Sequence, residues 1–191
     1  MQVPDPRKRR LICAAAERLF ATRPYHKVRL GDVAAAARVG KGTLYVYFRS
    51  KEDLYLGLVY DGFVSLVQRL GELVSSKASA SQNLLRIIKE LVDFAYRHPH
   101  MAEMMRTSLL ARSSRQWLTK RRQLSSLIEG VLRQGVASGE LNDAHPELSA
   151  IYIPGMVRGA LLFGPAGLGK QALVRHIHAV ITRGLLRRTG K

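Results

Sequence analysis

The chain has 191 residues, a length that suits one domain or two small ones and allows a sizeable buried core. Its 31 lysines and arginines outnumber its 14 acidic residues, which gives a formal net charge of +17. Such an excess attracts polyanions, nucleic acid first and anionic membranes second, but indicates non-specific attraction rather than sequence recognition. The single cysteine, Cys13, excludes an internal disulfide. With no signal peptide and no long apolar run, the sequence predicts a cytoplasmic protein that does not enter a membrane.

The positive charge is densest at the N-terminal end. The first 60 residues carry 12 basic and 5 acidic side chains, whereas the rest of the chain carries 19 and 9. Residues 1–10 contain two prolines followed by four consecutive basic residues. Two interpretations of this segment are open: a frayed, solvated arm, or an arm whose cations touch the phosphates or the minor groove of bound DNA.

The first predicted element is a helix over residues 9–22. Apolar side chains recur there at steps of three or four, as on one face of an amphipathic helix, and Pro24 ends the pattern. We expect this helix to pack behind the elements that follow it. Together they would close a three-helix core that includes Val33, Leu44 and Phe48.

Residues 28–51 predict a helix-turn-helix unit. A short apolar helix over 30–37 is followed by a tight turn at 38–40 and by a second short helix at 41–48. Two helices of about two turns, joined by a turn of three or four residues, form this unit, and its second helix enters the major groove of DNA.

A longer set of residues around this unit occurs in the order and spacing of a known family. The set is Leu19-Phe20, Tyr25, Asp32-Val33-Ala34, Lys41-Gly42-Thr43-Leu44-Tyr45-x-Tyr47-Phe48 and Ser50-Lys51-Glu52-Asp53-Leu54. It resembles the DNA-binding head of the TetR family of transcriptional regulators. The resemblance implies an all-α fold of about nine helices, with a helix-turn-helix head over residues 1–50. A helical body for ligand binding and dimerisation would follow over residues 51–191.

Three positions depart from the pattern of the family. Arg29 stands where the family usually has a capping threonine, Arg38 where the turn has glycine, and Gly40 where the recognition helix begins with serine. Arginine cannot accept a backbone N–H as threonine does, but it can donate to phosphate, and glycine is tolerated as an N-cap. These departures leave the DNA sequence open rather than the binding of DNA.

The resemblance implies that the side chains of the recognition helix that do not lie on its buried face contact DNA. Lys41 is the candidate for reading a guanine, because lysine or arginine to guanine O6 and N7 is the commonest specific contact. Val46 is expected at a thymine methyl, Thr43 at a base edge or phosphate, the two tyrosine hydroxyls at phosphates, and Lys51 at a phosphate beside the next helix. The predicted DNA-binding residues are Arg29, Arg38, Lys41, Gly42, Thr43, Tyr45, Val46, Tyr47 and Lys51.

Beyond residue 50 the spacing of apolar residues predicts long helices. Their approximate ranges are 51–75, 82–97, 99–112, 114–138, 146–163 and 168–187. No strand-like alternation appears, so the whole chain is predicted to be all-α. Pro154-Gly155 is expected to kink the helix in which it lies.

The resemblance implies that the body binds a small-molecule effector and that the last two helices pair with their copies in a homodimer. The residues predicted to line the ligand pocket are Phe63, Phe94, Met101, Met105, Trp117 and Tyr152. The residues predicted at the dimer interface are Met156, Gly159, Ala160, Leu173, Ile177, Val180 and Ile181. The pocket residues are equally explicable as core. Clustered cations over residues 112–122 favour an anionic ligand such as an acyl thioester, or serve solubility alone.

Residues 164–170 match the GxxxxGK spacing of a nucleotide-binding P-loop. Gln171 stands where the Ser or Thr that holds Mg²⁺ is required, and only 21 residues remain after Lys170. A turn between two helices explains the segment. The two His-x-His pairs are spaced poorly for a shared metal, and no nucleophile–base set appears. The sequence therefore predicts neither an enzyme nor a cofactor.

The sequence as a whole favours a repressor that binds a near-palindromic operator as a dimer and is released by a small molecule. Its partners would be double-stranded DNA, a second copy of itself and the effector, with no membrane. One alternative is a basic architectural protein that coats DNA without regard to sequence, and a remote one is a P-loop enzyme. The ordered match at residues 41–48 favours the first, because a coating protein needs no recognition helix.

Overall fold

The structure is a computed structural model, and it describes residues 5–98, 115–165 and 167–185. These residues form eight α-helices and a single 3-10 turn, Tyr25–Lys27. The helices are α1 (Pro6–Thr22), α2 (Leu30–Ala36), α3 (Lys41–Tyr47), α4 (Lys51–Leu73), α5 (Ala80–Arg97), α6 (Arg115–Ala137), α7 (Pro146–Phe163) and α8 (Lys170–Leu185). The predicted all-α class is confirmed. The helix predicted over residues 99–112 lies outside the described residues.

The chain divides into two compact units, Met1–Asp61 and Gly62–Lys191. The division falls inside α4, whereas the sequence suggested a boundary just before this helix, between residues 50 and 51. The helix itself is continuous, so its first half belongs to the first unit and its second half to the second.

The first unit is built around one apolar cluster to which α1, α2, α3 and the start of α4 contribute. The predicted core of Val33, Leu44 and Phe48 is confirmed within it. The buried members of the cluster are Ile12, Ala15, Ala16, Val28, Val33, Ala34, Ala37, Leu44, Phe48 and Leu54. Because α2 and α3 have only seven residues each, they depend on this shared core rather than on their own helix propensity.

Helix α1 begins earlier than the sequence predicted. The side chain of Asp5 accepts the backbone N–H of Arg7 at 2.8 Å and so caps the helix, and Pro6 follows at its first position. The basic residues 7–10 are therefore helical rather than part of an extended arm.

In the second unit, the start of α5 is held by two capping arrangements. Ser79 and Gln82 form a reciprocal capping box, and the carboxylate of Glu140 accepts the N–H groups of Ala80 and Ser81 at 2.7 and 2.9 Å. Burial raises the pKa of Glu140, but the hydrogen bonds from Ser81 and Ala80 outweigh it and the pKa lies below its ordinary value. The segment after α6 is thereby fastened to the N-terminus of α5.

Helix α5 is the central helix of the second unit, because α6, α7 and α8 each pack against it. Its apolar face, which includes Leu84, Ile87 and Ile88, is buried. Close approach of α6 to the start of α5 depends on Gly135. A Cβ atom at this position would lie 2.6 Å from the Cβ of Ala80 and 2.6 Å from the Cδ1 of Leu141, closer than side chains pack.

We expect Gly135→Ala to lower the free energy of unfolding by about 2 kcal/mol, because the added methyl group overpacks this junction. Gly130→Ala is the matched control, since Gly130 lies on the same helix and a Cβ there meets nothing within 4 Å. That control should raise the free energy of unfolding by roughly 0.5–1 kcal/mol through helix propensity. Urea denaturation measures both variants, and equal effects at the two positions would contradict the close approach.

Candidate nucleic-acid interface and ligand cavity

Helix α3 is fixed by one face and leaves the opposite face open. Leu44 is fully buried and Phe48, just after the helix, is nearly so, whereas Tyr45 is 47 % and Val46 61 % exposed. Lys41 and Gly42 are exposed as well, while Thr43 and Tyr47 are half-buried. Large apolar and aromatic side chains are thus held at the surface beside cations by a helix that cannot rotate without exposing its core residues.

The turn before α3 adopts a helix-ending motif that normally needs glycine. Arg38 has a φ of +55°, the N–H of Val39 donates to the carbonyl of Ala34 at 3.0 Å, and the N–H of Arg38 donates to that of Ala35 at 3.1 Å. These two bonds and the left-handed residue are the Schellman arrangement, in which a side chain costs about 1–2 kcal/mol relative to glycine. The backbone is therefore strained at a position that presents an exposed guanidinium.

Neither short helix of the pair has a side-chain cap at its N-terminus. Neither Arg29 at the start of α2 nor Gly40 at the start of α3 makes a side-chain cap hydrogen bond. Both residues are exposed, so the Arg29 guanidinium is available to a ligand at the surface.

Tyr47 connects the end of α3 to the start of α1. Its hydroxyl accepts the backbone N–H of Asp5 at 2.8 Å. Because a phenol can donate while it accepts, its own proton remains available for a phosphate oxygen. The N-terminus of α1, with its exposed basic residues, is thereby held beside the recognition helix.

Lys51 has a different role from the predicted phosphate contact. It begins α4 as expected, but its ammonium donates to the carbonyl of Tyr25 at 3.0 Å and lies 4.3 Å from the centre of the Tyr25 ring. A hydrogen bond and a cation–π contact together hold the charge inside the head. Lys51 is better described as a residue that stabilises the head than as one presented to DNA.

The second unit contains a cavity of about 320 Å³ between α4, α5, α6 and α7. Its described lining residues are Phe63, Leu91, Phe94, Ala95, Trp117, Arg121, Leu124, Ser125, Ile151, Pro154, Gly155, Val157, Arg158 and Leu161. The rings of Phe63 and Trp117 stack with centres 5.6 Å apart, and the Phe94 ring lies 5.8 Å from that of Phe63. The wall is thus mostly apolar and aromatic, which is typical of a small-molecule site.

The structure places three of the six predicted pocket residues, Phe63, Phe94 and Trp117, in this wall. Met101 and Met105 lie outside the described residues. Tyr152 does not line the cavity and is 57 % exposed, whereas its equally exposed neighbour Ile151 lies at the rim of the cavity. Successive helical residues point about 100° apart, so a shift of one position changes the face.

The polar residues of the wall were not predicted as pocket residues. Arg121 and Ser125 lie one turn apart on α6, and Arg158 is contributed by α7. Both arginines retain solvent contact. Partial burial, and then the charge of Arg158, lower the pKa of Arg121 from its ordinary value. A charged residue inside an apolar repeat gives no periodic signal, so Arg158 could not have been found from spacing alone.

His98 lies against the aromatic wall at the end of α5. Its ring centre is 4.7 Å from that of Phe94. Burial, followed by the charge of Arg97, lowers the pKa of His98 to about 4. The imidazole is therefore neutral at physiological pH.

The predicted dimer residues divide into two groups. Leu173, Ile177 and Ile181 are buried within the protomer, because α8 packs this face against α5 and α7. They are therefore core rather than surface residues. Met156, Gly159 and Ala160 are half-buried and Val180 is exposed, so these four remain accessible to a second chain.

The segment with P-loop spacing joins two helices. It follows the helix α7, whereas a P-loop follows a strand. The ammonium of Lys170, at the start of α8, lies 3.2 Å from the carboxylate of Asp93 and 5.6 Å from the centre of the Tyr96 ring. The Tyr96 hydroxyl donates to the carbonyl of Leu168. Contacts within the protein thus hold the lysine that a P-loop would give to phosphate. In the described part of the chain, no three His, Cys, Asp or Glu side chains are placed to hold a metal ion.

A helix-turn-helix unit followed along the chain by a helical unit with an apolar cavity is the architecture of a class of DNA-binding regulators. The family model for bacterial regulatory proteins of the tetR family matches residues 12–58, and that for a tetracycline repressor-like C-terminal domain matches residues 77–185. The chain belongs to the TetR family of DNA-binding transcriptional regulators. Regulators of this family are not enzymes. No described helix combines the length and apolar character that a membrane span requires.

Relatives span most of the chain. The fatty acid metabolism regulator protein of Bacillus subtilis is 27 % identical over 148 residues, 75 % of each protein. The crystal structure of the regulator FadR from B. subtilis in complex with stearoyl-CoA has a TM-score of 0.73 at 22 % identity and covers 92 % of this chain and 98 % of that one. A regulator from Saccharomonospora viridis in complex with choline has a TM-score of 0.79 at 20 % identity, with 96 % and 100 % covered. At these identities the solved structures establish the fold alone.

We expect Arg38→Gly to raise the free energy of unfolding by about 1 kcal/mol, because glycine adopts the left-handed conformation without strain. Arg38→Ala removes the same charge but keeps the strain, so it should bring no such gain. Chemical denaturation compares the two variants. A gain in stability of equal size in both would show that the charge, and not the backbone, is responsible.

Stability should also depend on pH through His98. Its folded pKa of about 4 lies below the ordinary 6.5, so the unfolded chain binds the proton more tightly. The contribution of the neutral imidazole is complete above pH 6.5 and is lost as pH falls toward 4, by up to about 3 kcal/mol. Denaturation of the wild type and of His98→Gln across this range should show a steeper loss in the wild type. Parallel curves would contradict the prediction.

Proposed function

We propose that the chain is a homodimeric repressor that reads a near-palindromic operator and releases it when a small molecule enters the cavity. The observation that carries the proposal is the pose of α3. Leu44 is buried, so that Lys41, Tyr45 and Val46 stand exposed together on one short helix. Exposed apolar and aromatic residues beside a lysine are costly on a helix that only meets water, and they suit base edges and phosphates in a major groove.

Each exposed residue of the head has a definite role in this proposal. Lys41 donates to guanine, Val46 packs on a thymine methyl, and Thr43 reaches a base edge or phosphate. The hydroxyls of Tyr45 and Tyr47 donate to phosphates, and Arg29 and Arg38 add charge at either end of α2. Gly42 lets the backbone approach the groove closely. Lys51 is left out, since Tyr25 holds its ammonium.

A second copy is needed because one short helix reads too few bases, and two heads read half-sites about one helical turn apart. The exposed side of α7 offers a suitable surface. Leu148, Tyr152 and Phe163 are exposed on it, Phe163 to 84 %, and Val180 is exposed on α8. Half-buried Gly159 would allow a neighbouring helix to approach closely. This surface replaces the deeper α8 residues as the proposed dimer contact.

The cavity is the proposed effector site. Residues of four helices in the second unit line it, and stacked aromatic rings form part of its wall. Regulators of the same fold hold stearoyl-CoA in one case and choline in another, which supports use of the body as a ligand-binding unit. Release of DNA would follow if the effector binds one conformation of the dimer better than the other.

The net charge of +17 favours a second candidate, a protein that coats DNA without reading it. Fluorescence anisotropy against DNA from upstream of the gene of this protein, beside a scrambled duplex at two salt concentrations, separates the two functions. A repressor should prefer its operator by roughly 10³-fold or more, and the preference should survive moderate salt. Equal, steeply salt-dependent binding to both duplexes and to genomic fragments would instead establish a coating protein.

We expect Lys41→Ala to weaken operator binding by about 10-fold or more while changing binding to the scrambled duplex far less, because a base contact is lost. Lys77→Ala is the control for charge, since Lys77 is exposed between α4 and α5 and belongs to the second unit. The same anisotropy titrations measure both variants. Equal losses on the two duplexes would show that Lys41 contacts only phosphate.

A further inference from the structure

The cavity has an apolar interior and a basic rim. Phe63, Phe94, Trp117 and Leu124 are buried, whereas Arg121 and Arg158 line the same cavity and remain exposed to solvent. Burial therefore increases from the two guanidiniums toward the rings. A ligand that fills the cavity would meet cations at one end and aromatic carbon at the other.

The two arginines face each other without a compensating acid among the described residues. None of the described lining residues is aspartate or glutamate, and neither guanidinium forms an ion pair in the described part of the chain. Each guanidinium therefore lies close to a like charge. Burial is the larger cause of the lowered pKa of Arg121, and repulsion from Arg158 is the second. An anion between them would remove this repulsion and accept charge-assisted hydrogen bonds from both.

The arrangement depends on two different helices. Arg121 and Ser125 share one face of α6, one turn apart, and Ser125 adds a hydroxyl beside the guanidinium. On α7, Arg158 lies one turn after Gly155, which also lines the cavity and takes up no side-chain volume there. The cationic rim is thus a product of packing between α6 and α7.

An open groove continues outward from this rim. Arg121, Ser125 and Ile151 belong to both, and Leu118, Arg122 and Ser126 complete the groove. A third cation therefore lies along the way out of the cavity. A ligand whose acidic group is larger than a carboxylate would find further positive charge there.

We propose that the effector is an amphipathic anion, an apolar chain with an acidic head. The chain lies against Trp117 and Phe63, and the head is bound between Arg121 and Arg158. This inference rests on the proposed function, since it names the ligand class of the proposed effector site. A free fatty acid and an acyl thioester of coenzyme A share this chemistry. A cation such as choline is excluded by the two guanidiniums.

Trp117 is the only tryptophan of the chain and lines the cavity, so its fluorescence reports occupancy directly. The full-length protein is titrated with decanoate, decanoyl-CoA, 1-decanol and choline. We expect one or both anions to change the emission, and 1-decanol to bind at least about 10-fold more weakly than the better anion. Decanoate alone would identify free acids as the source, and decanoyl-CoA alone would identify thioesters.

The paired variant Arg121→Gln/Arg158→Gln should weaken binding of the better anion by about 10-fold or more and leave that of 1-decanol nearly unchanged. Lys77→Gln/Lys89→Gln is the charge-matched control, because both lysines are exposed and neither lines the cavity. Binding of 1-decanol or choline as tight as that of the anions would overturn the proposal. So would an unaffected arginine variant, or no response of Trp117 to either anion.

Operator anisotropy on the same proteins separates this inference from the proposed function. Both paired variants should bind the operator like the wild type, and only the arginine variant should resist release by the anion. If the anion binds at the two arginines but operator affinity stays the same, the ligand site stands and its regulatory role is wrong. If the operator is never preferred although the anion binds, the repressor proposal alone fails.

Discussion

Burial of Leu44 is the constraint on which the DNA-binding surface depends. Helix α3 has only seven residues, too few to be stable in water by themselves. It exists because Leu44 and Phe48 complete a core shared with α1, α2 and the start of α4. The same packing fixes which side chains face outward. Because the buried face of α3 is held against the core, Lys41 and Val46 lie on its exposed side.

Residues at the edge of this core divide into those that build the head and those that remain available. Lys51 donates to the backbone carbonyl of Tyr25. The guanidinium of Arg9 lies 2.9 Å from the carboxylate of Asp61 and is stacked over the ring of Phe48. Arg29 and Arg38 have no such partners in the described structure, and Arg38 keeps its place at the cost of a left-handed backbone. A strained residue with an exposed charge is a candidate for function, because the two hydrogen bonds of this turn would form equally well with glycine.

The sequence predicted the helices and the head well, since the spacing of apolar residues and helix-ending residues such as Pro24 are local signals. It predicted surfaces less well. The spacing of apolar residues does not distinguish Tyr152 from Ile151 as a pocket residue. Only the packing of α7 shows that Ile151, and not Tyr152, lines the cavity. The resemblance places Leu173 and Ile177 at a dimer interface, whereas in the structure the packing of α8 on α5 buries both within the protomer. Which of two apolar faces is covered within the protomer is a tertiary property that spacing does not encode.

The position of the arginine pair bears on how an effector could act. A ligand that binds two conformations equally shifts neither, however tightly it binds. Arg121 and Arg158 lie on different helices, so an anion bound between them would favour the conformation in which both guanidiniums reach it. In the proposed complex the apolar chain beneath it would lie against Phe63, so that the ligand meets α4, α6 and α7 within the second unit.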